Sequence, residues 1–159
     1  MFFIKVSNFW LINEFLILAL AKFNGDLMVY NLFEVRVADF IFNDKNELLL
    51  LKNNKGTWGI LGGHLDKGEQ IRDTVHREAM EEAGIKIDIR RQFGLRVVSE
   101  KNSVVISFSC RYVSGEIKLQ KDEVSEFAWV TLDELKNYKL TFDDLPALAK
   151  KALQVVNRK

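Results

Sequence analysis

At 159 residues and 48% hydrophobic content, the chain is long enough to bury one core and too short for two full domains to be expected. Lys and Arg number 23 against 22 Asp and Glu, so a net charge of +1 gives no whole-protein field for gathering nucleic acid or an acidic membrane surface. The single cysteine, Cys110, excludes an intramolecular disulfide and a thiolate metal cluster.

Residues 1–32 read as a segment apart from the rest. Its run "NFWLINEFLILALAKF" is strongly apolar but is interrupted by Asn13, Glu14 and Lys22. A membrane span needs about 20 predominantly apolar residues, so none is expected. Four readings stay open: an added helix or strand, an interface that would make a homodimer, a signal peptide with its Ala-x-Ala ending at Ala21, and a chain that starts at Met28.

From Glu34, "EVRVADFIF" alternates and then runs apolar, "NDKN" makes a turn, and "ELLLLK" returns, which predicts a β-hairpin. "KNNKG" is a polar loop, and Trp58 leads through "GILGG" into a helix. Ile71, Val75, Ala79 and Ala83 recur every fourth residue and mark its packed stripe, from Gln70 to Ala83, with Gly84 as the stop. Three strand-like runs follow: "IKIDIRRQFGLRVV" with a break at Gly94, "VVISFSCRYV" with Cys110 as a packed core thiol, and "VSEFAWV". "TLDEL" opens a short helix with Thr131 and Glu134 as a capping box. The last helix spans roughly 144–156, with Asp143 or Asp144 as cap and Pro146 in its first turn. Strands framed by helices in this mixed order predict an α/β sandwich.

The chemistry concentrates on the middle helix. At about 100° per residue, Glu78, Glu81 and Glu82 occupy roughly a third of its circumference, with Glu82 about 20° and Glu78 about 60° from Val75. These carboxylates lean toward the packed body, where like charges are costly. The plain reading is a solvated acidic face with i,i+4 partners. Arg77 relieves part of the repulsion, and a hard divalent cation relieves it better, since Mg²⁺ takes carboxylate, water and phosphate oxygens. Gly62 and Gly63 lack side chains, so a backbone carbonyl can face an ion and the loop can approach a phosphate, while Glu69 at the helix entrance can orient that loop.

From Gly63 the order is Gly, five residues, Glu69, seven residues, Arg77-Glu78, Ala79, one residue, Glu81-Glu82, one residue, Gly84, Ile85. This resembles the Nudix box position by position. The flanking "VRVADFIFNDKNELLLLK", "GTWGILGG" and "SEFAWVTLDEL" extend the resemblance over roughly Phe33 to Gln154. One departure is Leu61, where many members have proline. The resemblance implies a Nudix fold over residues 33–159, an α/β/α sandwich with a mixed central β-sheet. It also implies a cytoplasmic, Mg²⁺- or Mn²⁺-dependent hydrolase of a small nucleoside diphosphate derivative, without a stable nucleic-acid partner.

Carried over residue by residue, the resemblance makes Glu78, Glu81 and Glu82 the metal ligands beside the Gly62 carbonyl. Arg77 holds the glutamates by ion pairing and Glu69 supports the loop. The general base stays open between Glu82 and Glu123, with Glu126 close to the latter. Lys52, Gly63, Arg96, Lys118 and Lys121 are candidates for the polyphosphate, and His64 for a phosphate contact or a solvated loop residue; His76 is expected at the helix surface. The residues that mark ADP-ribose, dinucleoside polyphosphate, coenzyme A and NADH hydrolases are absent. What remains is most similar to the (d)NTP pyrophosphohydrolases, which release a nucleoside monophosphate and pyrophosphate, some from oxidised nucleotides. In that reading Asp143 or Asp144 accepts from a purine edge, the alternative being a helix cap, and Phe142 or Trp129 stacks on the base, the alternative being core packing. Two other readings are hydrolysis of ADP-ribose, another nucleoside diphosphate derivative or RNA 5′ ends, and a non-catalytic nucleotide-sensing module. The latter commonly loses box glutamates, and all four are present here.

Overall fold

The computed structural model describes residues 32–119 and 124–158, together with the backbone of four short strands nearer the N-terminus. Those strands are β1 (Lys5–Val6), β2 (Phe9–Trp10), β3 (Ala19–Phe23) and β4 (Asp26–Tyr30), paired β1 with β2 and β3 with β4, both antiparallel. The main body then runs β5 (Glu34–Phe42), β6 (Leu48–Asn53), β7 (Trp58–Gly59), α1 (Ile71–Ala83), β8 (Lys86–Val98), β9 (Ser103–Ser114), β10 (Val124–Val130) and α2 (Leu145–Val156). Single 3₁₀ turns lie at Ser99–Lys101 and Glu134–Asn137.

A mixed sheet in the order β10-β6-β5-β9-β8, with β7 added beside β6, forms the middle layer. Strand alternation sends residues to opposite faces. Val37 and Ile41 of β5 pack with Leu49 and Leu51 of β6 against Val75, Ala79 and Ala83 of α1. Phe40 and Phe42 pack with Leu48 and Leu50 against Leu145, Ala149, Ala152 and Val156 of α2 on the other side. The expected α/β/α sandwich with a mixed sheet is therefore the observed architecture.

The hairpin expected from Glu34 to Lys52 forms only at its turn. β5 and β6 pair through Phe42 and Leu48 alone, whereas on its other edge the whole of β5 runs parallel to β9 over nine residue pairs. The space that opens between β5 and β6 is filled by the loop after β7. The amides of Val37, Asp39 and Leu65 donate to the carbonyls of Gly63, Leu61 and Val35, each at 2.9 Å. Local alternation cannot reveal this, because both strands keep hairpin patterning while the partner comes from farther along the chain. Gly94 does not end β8; it sits where the β8–β9 register shifts, a bulge within one continuous strand.

The helix around the acids begins at Ile71, one residue later than expected. It ends on Gly84, whose φ of +68° suits a residue without Cβ, with its amide bonded to the Met80 carbonyl at 2.9 Å. Glu134 accepts from both the amide and the hydroxyl of Thr131 at 2.8 Å, so half the expected capping box is present, but the turn it opens is 3₁₀. Pro146 stands in the first turn of α2, and Asp144 precedes that helix without making a side-chain cap bond. Cys110 is a fully buried thiol, pushed well above its ordinary pKa by burial. Among the described residues, no helix is long and apolar enough to cross a membrane.

Candidate active site

The acidic helix and the glycine loop meet at the sheet face where β5 and β6 diverge. Glu78 falls inside the buried stripe of α1 and is 9% exposed. Its carboxylate occupies the space beside Gly63, where an added Cβ would lie 2.0 Å from Oε1. Gly62, at φ +151°, is constrained from the other side, because a Cβ there would approach the Val37 carbonyl oxygen to 2.2 Å. The two glycines thus permit different contacts: Gly62 lets the loop lie against β5, and Gly63 makes room for the helix carboxylate.

One guanidinium ties the cluster together. Arg77 donates from Nε and Nη2 to the Glu69 carboxylate at 2.9 and 3.1 Å, and from Nη1 to Glu78 at 2.8 Å and Glu81 at 2.9 Å. Its Nη2 also reaches the His64 carbonyl at 2.9 Å, fixing the loop to the helix. The planar fork of arginine suits such multidentate pairing. These bonds, with one from the Thr74 hydroxyl at 2.8 Å, hold the Glu69 carboxyl down at about 2. The same carboxylates raise the Arg77 guanidinium above its ordinary value. Glu81 is more open, with 53% of its side chain exposed, and Glu82 receives the Gly62 amide at 3.4 Å.

Behind this cluster lies a residue that the pattern of acids did not single out. Asp39 is 0% exposed, and neither of its carboxyl oxygens has a hydrogen-bond partner in the protein. Burial first, and then the charges of Glu82 and Glu78, push its carboxyl well above the usual carboxylate range.

A cleft of about 540 Å³ opens beside Glu82 and Gly62. Arg36, Arg96, Lys101 and Phe142 line its other parts, with Leu51 and Asn53 on the β6 side. Arg96 lies over the Phe142 ring at 5.2 Å, so this base and this aromatic share one wall, and Arg96 also pairs with Asp144, outside the lining, at 3.1 Å. The other candidates are dispersed. Lys52, between Leu51 and Asn53, turns instead to Glu126 at 2.6 Å and to the Trp58 ring. Asp143 borders a separate depression with Tyr138, Lys139 and Pro146. Trp129 packs edge-on against Tyr112 at 5.6 Å, Lys118 faces Glu116, and His64 meets Glu34 at 3.1 Å. His76 is exposed on the helix surface. Glu123 and Lys121 lie outside the described residues. Sequence reasoning missed Arg36 and Lys101 as cleft-lining cations, because their place there depends on how β5 and the β8–β9 turn meet.

The donor chemistry of Glu78, Glu81 and Glu82 is all hard oxygen, which fits Mg²⁺ or Mn²⁺ rather than a soft metal. Among the described residues, no three acidic, histidine or cysteine side chains already converge as a metal cage. Arg77 draws Glu78 and Glu81 toward itself, so ligation would require these two carboxylates to share themselves between guanidinium and cation.

The arrangement has known counterparts. Curated relatives include the NAD-capped RNA hydrolases NudC of Mannheimia succiniciproducens, 39% identical over 79 residues, and of Actinobacillus succinogenes, 34% identical over 102. The matches cover 50% and 64% of this chain but only 30% and 36% of those proteins, so the chain spans about a third of these relatives' length. Among solved structures, an ADP-ribose pyrophosphatase from Streptococcus suis superposes with a TM-score of 0.70 at 22% identity, covering 79% of this chain and 93% of that one. The MutT protein of Methanosarcina mazei superposes at 0.63 with 26% identity, covering 80% and 97%. The model of the NUDIX domain matches residues 32–151, which contain the glycine loop, the acidic helix and the cleft, and the chain belongs to that family.

Proposed function

We propose that the chain hydrolyses the phosphoanhydride of a nucleoside diphosphate derivative with the help of a divalent cation. The observation that carries this reading is Glu82 and Gly62 at one end of a cleft whose other walls present Arg36, Arg96, Lys101 and Phe142. Glu78, Glu81 and Glu82, with the Gly62 carbonyl, would hold Mg²⁺ or Mn²⁺. When bound, such an ion polarises a phosphoryl oxygen and lowers the pKa of a water.

The chain supplies the rest. Arg36, Arg96 and Lys101 offset the charge of the phosphates as they enter. Phe142 offers an apolar face to the base, and Gly63 leaves space for the loop and helix to keep their close contact. Glu82 accepts a proton from the attacking water, whose oxygen forms the new bond to phosphorus as the anhydride oxygen departs with the leaving phosphate. Glu69 and Arg77 keep loop and helix in register throughout.

A (d)NTP yielding a nucleoside monophosphate and pyrophosphate is the first substrate reading, supported by the Phe142 ring in the cleft and by Asp144, which pairs with the cleft residue Arg96. The dinucleotide of an NAD-capped RNA is the second, favoured by the curated relatives, which are named NAD-capped RNA hydrolases. Phosphorus NMR of the products from (d)NTPs, oxidised (d)NTPs, ADP-ribose, NAD and 5′-triphosphate RNA decides between them. The controls are chelator and Glu82→Gln, which is expected to abolish turnover while leaving the fold intact. Pyrophosphate from a triphosphate supports the first reading, and two monophosphates from a dinucleotide support the second. Absence of cation-dependent turnover, or a fully active Glu82→Gln, refutes the proposed chemistry.

A further inference from the structure

β5 presents Val35, Val37, Asp39 and Ile41 toward α1, so an acid stands where the alternation calls for an apolar side chain. Its neighbours Val37 and Ile41 pack in the apolar cluster with Val75 and Ala79. The Asp39 amide is used by Leu61 at 2.9 Å, but both carboxyl oxygens are buried without a protein partner. Buried polar side chains are nearly always satisfied by protein, water or an ion, and leaving one unpaired is costly. The protein groups acting most strongly on this carboxyl are Glu82 and Glu78, which are acceptors when ionised and cannot then donate to it.

We propose that Asp39 is a further member of the divalent-cation site, accepting hydrogen bonds from water held by the cation between Glu78 and Glu82. Mg²⁺ and Mn²⁺ characteristically retain several waters, and those waters are strong donors. Asp39 lies one residue beyond the Val37–Ala38 wall of the cleft, buried and near enough to Glu82 and Glu78 for their charges to act on it, where it would accept from a water of an ion held by those glutamates. The assignment rests on the reading of the helix glutamates as metal ligands and adds a residue from a different element. Asp39 is a positioning residue: it orients the ion through its water and touches neither substrate nor reacting atoms.

The test is Mn²⁺ binding to the full chain, stripped of metal, followed by the electron paramagnetic resonance of free Mn²⁺. It compares the unaltered protein, Asp39→Val, Asp39→Asn and, as a control, Glu82→Gln. Loss of an outer-sphere partner weakens metal affinity by roughly 10-fold or more. That loss is expected for Asp39→Val, with a smaller one for Asp39→Asn, which keeps one acceptor. Thermal melts in chelator supply a readout that a merely structural acid would move differently. Asp39→Val is expected to melt no lower than the unaltered protein, because it removes an unpaired polar group from an apolar cluster. Should Asp39→Val fail to fold, Asp39→Asn carries the affinity measurement. Mn²⁺ affinities within about twofold of the unaltered protein, while Glu82→Gln weakens binding, overturn the role of Asp39 alone. If the unaltered protein binds no Mn²⁺, the metal reading of the whole site falls and this assignment with it.

Discussion

Replacing Gly63 with alanine tests whether the loop and helix are fitted to each other. The new Cβ would lie 2.0 Å from Oε1, 2.2 Å from Cδ and 2.5 Å from Oε2 of Glu78. Ordinary contact begins near 3.4 Å, so the carboxylate must retreat by roughly 1.4 Å. Glu78 has little room for this, being 9% exposed and held by Arg77 at 2.8 Å. Overpacking of this kind costs about 1–3 kcal/mol. A catalytic group displaced by about 1 Å can lower turnover by roughly 100-fold. The assay is chemical denaturation in chelator of the unaltered protein, Gly63→Ala, Glu78→Ala and the double variant. With the obstructing carboxylate gone, the alanine should become nearly neutral, giving a coupling of about 1–2 kcal/mol. Effects that add to within about 0.5 kcal/mol would refute the contact as the reason for glycine at this position.

Arg77→Met removes the fork joining Glu69, Glu78 and Glu81 and should lower stability in chelator by about 2 kcal/mol, since charge-assisted bonds are lost around a half-buried group. Added Mg²⁺ should narrow that deficit, and a deficit unchanged by Mg²⁺ in calorimetry would contradict shared ligation. Glu69 has a folded pKa near 2, below the usual 4.5, so its contribution is complete above 4.5 and is lost as pH falls toward 2. Melting curves of Glu69→Gln should therefore show a shallower acid decline than the unaltered protein across that window, and parallel declines would count against the Arg77 and Thr74 bonds. Cys110, buried and raised in pKa, should resist a disulfide thiol reagent at pH 8 until denaturant is added; fast labelling of the native protein would show that β9 opens locally.

Much of the fold was legible because its signals are local. The four-residue stripe from Ile71 to Ala83 and the stop at Gly84 located α1 to within a residue. The spacing of Glu69, Arg77, Glu78, Glu81 and Glu82 led to the cluster now seen around one guanidinium. What local pattern left out has a physical cause. The β5–β6 hairpin is paired at its turn only, because most of β5 takes its ladder from β9, far along the chain, and Asp144 stands at the start of α2 with its side chain turned to the distant Arg96. Asp39 shows the opposite case. "EVRVADFIF" already displays an acid on the inward period of a strand, but only tertiary packing reveals that no protein group pairs with it.

The insertion of residues 61–65 beside β5 also bears on how the molecule opens. The loop is held by main-chain hydrogen bonds to a central strand, so its fluctuations cannot be those of a surface flap. The amides of Val37, Asp39 and Leu65 should exchange with deuterium as slowly as the interior of the sheet and lose protection in a single step. Local opening that frees the glycine loop would also strip most of β5 of its partner opposite β9, so the shape of the anion-facing surface and the integrity of the central strand belong to one cooperative unit.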